Sequence, residues 1–187
     1  MAPLWGTRLQ REREWGSILK IPLLGIISMA ANYTEQELST IANSAMMTGM
    51  AVAMVDMGIV SSAIEAVAMS KEIVGATSKY PNNSIIQAAF SEAAIQAGSV
   101  KMNKPDIKPE EIQSGAIVDK AIEAVNSTVS MLKDKATPAE IQEYKAFIYT
   151  CAETVAKAAG SGLFGFGAKV SDKETAALTK IKTALGV

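Results

Sequence analysis

The sequence predicts an all-α protein, a compact bundle of about six or seven helices. Three observations carry that expectation. The 187 residues are 49% hydrophobic but only 5% aromatic, and thirty are alanine and ten methionine. Both residues are good helix formers, and alanine lets helices approach closely. Alternation of the strand type over more than four residues is hard to find. Helix-start signals also recur along the chain, each followed by an apolar stripe of helical period.

The first 28 residues differ from the rest. They hold Trp5 and Trp15, the charge run Arg8, Arg11, Glu12, Arg13 and Glu14, and an apolar stretch from Ile18 towards Ala31 interrupted by Lys20 and Pro22. Three readings stay open: an atypical targeting segment, an extra N-terminal helix, or an extension upstream of a natural start at Met29. The favoured division is an N-terminal extension at 1–28 and one helical domain at 29–187.

From Thr34 the punctuation is clear. Thr34-x-x-Glu37, Ser62-x-x-Glu65, Thr137-Pro138-x-Glu140 and Ser171-x-x-Glu174 are capping boxes, in which a hydroxyl caps the N3 amide and the glutamate reaches back. Pro109 with Glu110 and Glu111 is a fifth start, and Asn83 after Pro81 a sixth. The expected helices are 34–56, 62–79, 84–98, 109–133, 138–159 and 172–185. In the fifth, Ile141, Tyr144, Ile148, Cys151, Val155 and Ala158 form a core stripe. The fourth repeats it with Val118, Ala121, Ile122, Val125, Val129 and Leu132, and the last with Leu178, Ile181 and Leu185. The first is apolar nearly all round, with Met46, Met47, Met50, Met54 and Met57. It reads as a central helix enclosed by the others, or as an adaptable methionine-rich partner surface. It is too broken for a membrane span, so no stable membrane insertion is expected.

Composition excludes several chemistries. The chain has no histidine and one cysteine, Cys151. That removes Ser-His-Asp and Cys-His catalysis, histidine zinc sites and disulfides. Eighteen basic against nineteen acidic residues leave a formal net charge of −1, so no nucleic-acid partner is expected.

Four places carry candidate chemistry. The loop Gly160-Ser-Gly-Leu-Phe-Gly-Phe-Gly-Ala-Lys169 is glycine-rich yet apolar, and reads as a structural crossover or as a ligand or partner contact through Phe164, Phe166 and Lys169. It lacks the spacing of a phosphate-binding loop. Glu140 with Glu143, and Asp119 with Glu123, each share a helix face. They are either solvated surface pairs beside Lys145 and Lys120 or meeting points for a hard cation. Asp56 ends the apolar helix, where a carboxylate is disfavoured unless it finds donors around Ser61–Ala63 or a cation.

Two segments share one plan. Ala51-Val-Ala-Met-Val-Asp-Met-Gly-Ile-Val-Ser-Ser-Ala-Ile-Glu65 runs helix, glycine turn, Val-Ser, helix start. Thr154-Val-Ala-Lys-Ala-Ala-Gly160 followed by Gly167-Ala-Lys-Val-Ser-Asp-Lys-Glu174 does the same with a longer loop. This pairing resembles the TerB-like family of tellurite-resistance proteins, loosely over 34–187 and best over 151–186. The resemblance implies two pseudo-repeated helix–turn–helix halves and a divalent-cation site at clustered acids, here Asp56, Glu65 and Glu174. It also implies a non-enzymatic, cytoplasmic, bacterial stress-response module acting through a protein partner or as a homo-oligomer. The carboxylates in the two turns are few, so no resident cofactor and no tight divalent binding are expected. The alternatives are a helical small-molecule or lipid-binding protein, using the methionine-rich helix and the loop 160–169, and a carboxylate-based enzyme.

Overall fold

The computed structural model describes residues 32–55, 62–101, 107–113, 115–160 and 170–187, with side chains 62–66 and 159–160 set aside. Among these residues there are eight helices and no strand. They are α1 (Glu35–Val55), α2 (Ser62–Lys79), α3 (Ser84–Phe90), α4 (Glu92–Gln96), α5 (Pro109–Gln113), α6 (Ala116–Leu132), α7 (Pro138–Gly160) and α8 (Asp172–Leu185). The all-α expectation therefore holds. The segment 1–28 and the loop 161–169 lie outside the described residues.

The predicted capping boxes form wherever their side chains are described. The Thr34 amide donates to Glu37 Oε2 at 2.8 Å while the Glu37 amide donates to Thr34 Oγ1. Thr137 and Glu140 repeat this at α7, and Ser171 and Glu174 at α8. Asn83 Oδ1 accepts from the Ile86 amide at 3.0 Å and caps α3. The box at Ser62 and Glu65 lies outside the described side chains.

Two expected helices are each broken in two. The stretch 84–98 stops at Phe90, because Ser91 is extended and its hydroxyl accepts from the Ala94 amide to start α4. The stretch 109–133 is interrupted at Gly115, whose φ of 74° places it in the left-handed region that glycine tolerates. At the other end, the amide of left-handed Gly186 donates to the Lys182 and Thr183 carbonyls and stops α8.

Residues Tyr33–Val187 form one unit built around α1 and α7. Helix α1 packs against α2, α3, α5, α6, α7 and α8, the position expected of a central helix. By length and composition it would also cross a membrane, but 61% of its most apolar window is buried inside this unit. Its Met46, Met50 and Met54 are only half-buried. Gly49 marks a close approach: a Cβ there would lie 2.7 Å from Met69 Sδ and 3.5 Å from Val155 Cγ2. Helix α7 buries a wider stripe than its sequence pattern suggests, because α1 and α2 cover adjacent faces of it. Phe147, Ala152 and Ala156 join Tyr144, Ile148, Cys151 and Val155 in the core. Phe147 meets Phe90 edge-on, with ring centres 5.0 Å apart.

Candidate functional site

Among the described residues, a dense polar constellation lies where α1, α3 and α7 begin. Glu140, one member of a sequence-predicted acid pair, serves two helices at once. Its Oε2 accepts from the Thr137 amide and hydroxyl at 2.9 and 2.8 Å, and its Oε1 accepts from the Ser84 amide at 2.9 Å. Burial alone would push the Glu140 carboxyl up. The donors on Ser84 and Thr137 together outweigh that cost and hold it down at about 2. Glu143 Oε2 accepts from Asn83 Nδ2 at 2.9 Å, and the same amide group donates to the Glu140 carbonyl. Asn83 is completely buried with both ends of its amide engaged. The pair thus joins helix starts, and is more than a solvated face.

The same junction includes Tyr33. Its buried hydroxyl faces Ser84, and its ring lies 5.9 Å from Lys135 Nζ. Burial raises the Tyr33 pKa, the Ser84 hydroxyl opposes the rise, and Glu140 and Glu37 add to it. Lys135 also pairs with Glu37 at 2.7 Å. That ammonium, with the Thr34 amide, holds the Glu37 carboxyl below its usual range.

The second acid pair also divides. Asp119 reaches across to Lys180 on α8 at 2.6 Å, and Lys120 pairs with Glu111 of α5 at 3.1 Å. Glu111 additionally accepts from the Lys108 amide, and that bond first and Lys120 second lower its pKa. These partners are brought near by the fold, which spacing along one helix does not reveal.

Of the cation ligands implied by family resemblance, Glu174 is described. It is 4% exposed, and its Oε2 accepts from the Ser171 amide at 2.8 Å, so one of its two oxygens is engaged in the cap of its own helix. Asp56, the side chain of Glu65, and Phe164, Phe166 and Lys169 lie outside the described residues. Among the described residues, no three of His, Cys, Asp and Glu are grouped so as to hold a metal.

Two further reactive side chains, Cys151 and Tyr144, are locked in the core. Burial pushes the Cys151 thiol up to about 12. Tyr144 donates from its hydroxyl to the Ile41 carbonyl at 2.8 Å and lies 2.6 Å from Ser44 Oγ. Burial raises its pKa as well. Neither presents the ionised nucleophile that covalent chemistry uses.

Sequence reasoning missed a groove of about 580 Å³ between α5, α6 and α8 at the end of α1. Val55, Ile112, Val118 and Ala177 line it, with Lys173, Lys180 and Asp119 as the charged residues among those described. Its one local signal is the break at Gly115, which turns α5 away from α6. No family model, curated protein or solved structure matches this chain.

Proposed function

We propose that this chain is a non-enzymatic TerB-like module of the bacterial stress response, linked to tellurite resistance and acting in the cytoplasm through a protein partner or self-association. The observation that carries this reading is the use to which the ionisable groups are put. Glu37, Glu111, Glu140 and Glu174 each accept from a backbone amide at a helix start, and the Cys151 thiol is buried in its neutral form. Groups tied into architecture in this way fit a scaffold better than a catalyst. The two-halves reading has support in the packing. Helix α2 lies against α7 and helix α8 against α1, so the second helix of each paired segment packs on the first helix of the other.

Growth of the host on tellurite tests the proposal. Loss of the chain should sensitise the host, and both wild type and Cys151→Ala at equal protein level should restore growth. Unchanged tellurite tolerance without the chain, or failure of Cys151→Ala to restore it, would count against the reading.

A further inference from the structure

The groove at the end of α1 has a chemistry of its own, independent of the stress-response reading. Its floor is apolar. Val118 and Ala177 are buried at 3% and 5% exposure, and Val55 and Ile112 pack partly against the core beside them. Its volume of about 580 Å³ falls within the range of roughly 300–1,000 Å³ usual for small-molecule sites. A shallower hollow continues along the seam between α6 and α8 to Ile122 and Ala184, sharing Asp119, Ala176 and Lys180 with the first.

Charge decides what fits it. Among the described residues, three charged ones line the groove: Lys173, Lys180 and Asp119. Lys180 and Asp119 neutralise each other at 2.6 Å. Lys173 is exposed and has no ion pair among the described residues, so within that lining one positive charge stands without a carboxylate partner. We propose that this groove binds a free medium-chain fatty carboxylate, its chain along Val55, Ile112, Val118 and Ala177 and its carboxylate at Lys173. An amphiphile of this kind buries methylenes on the floor and keeps its head in water. Burial of apolar chain supplies the affinity, the exposed ion pair contributes little, and Lys173 selects the sign of the head group.

Isothermal titration of the full chain with monomeric dodecanoate, below its micelle concentration, tests the proposal. Dodecyltrimethylammonium and phosphatidylglycerol vesicles serve as comparison probes. Dodecanoate should bind saturably at one site, Lys173→Glu should weaken it tenfold or more, and Lys173→Arg should restore it. Ala176→Trp places a bulky ring on an exposed position of the groove wall and should abolish binding with the thermal melt unchanged. The absence of saturable binding would overturn the proposal. So would equal affinity for the cationic amphiphile, indifference to both Lys173→Glu and Ala176→Trp, or binding to vesicles without binding to monomer.

Discussion

The carboxylate of Glu140 accepts from the backbone amide of Ser84 at 2.9 Å, across a sequence separation of 56 residues. The other oxygen of the same carboxylate closes the capping box of its own helix. One side chain therefore fixes the starts of α3 and α7 relative to each other, and a negative charge near two helix N-termini is stabilised by both dipoles.

Replacing Glu140 separates its two tasks. Glu140→Gln keeps one acceptor oxygen and should cost about 1 kcal/mol, the usual value of a cap. Glu140→Ala removes both acceptors, leaves the Ser84 and Thr137 amides without them, and should cost about 2–3 kcal/mol. Urea denaturation of the two variants measures the difference. Equal costs below about 0.5 kcal/mol would mean that water replaces the carboxylate freely.

Tyr144→Phe removes a buried hydroxyl that ties α7 to α1. The Ser44 hydroxyl also donates to the Ile41 carbonyl, so that acceptor keeps a partner after the substitution. The expected loss is that of one net hydrogen bond, about 1 kcal/mol, read from the same denaturation curves.

Cys151 is completely buried, and burial leaves its thiol protonated at neutral pH. Thiolate is the form that alkylates. Iodoacetamide should leave the native protein unlabelled while modifying it rapidly in denaturant. Labelling of the native protein at the denatured rate would show a reactive thiol and weaken the non-enzymatic reading.

One oxygen of Glu174 closes the α8 capping box and the residue is 4% exposed, which leaves little of this carboxylate open to a divalent cation. Thermal melts in millimolar Ca²⁺ or Mg²⁺ and in chelator should coincide. A site filled at 100 Kd adds about 2.7 kcal/mol. For a domain of this size that moves Tm by about 2–4 °C per kcal/mol. A shift of about five degrees, abolished by Asp56→Asn, would restore the cation site that the family resemblance implies.

The helices were legible because their signals are local. Thr34, Thr137 and Ser171 announce their helices within one turn, and the stripes of α6 and α7 follow a fixed period. The breaks at Ser91 and Gly115 were legible in principle, since serine caps and glycine takes positive φ, but continuous apolar periodicity masked both. The role of Glu140 was not legible. Its own box could be read, whereas the Ser84 amide comes within reach only when α3 and α7 pack. The same holds for Asp119 with Lys180 and for the groove beside Lys173, whose walls come from four separate helices.

The account rests on carboxylates held ionised as architecture, and Glu140 is the clearest case. Its folded pKa is depressed from 4.5 to about 2, so its contribution to stability is full above pH 4.5 and is lost as pH falls towards 2. The direct measurement is a carbon-13 NMR titration of the Glu140 side-chain carboxyl in the folded protein. The predicted midpoint lies near 2, with Glu140→Gln flattening the acid limb of the stability curve. A midpoint at or above 4.5 would contradict the account, because a carboxyl bonded to two helix starts cannot titrate as a free one.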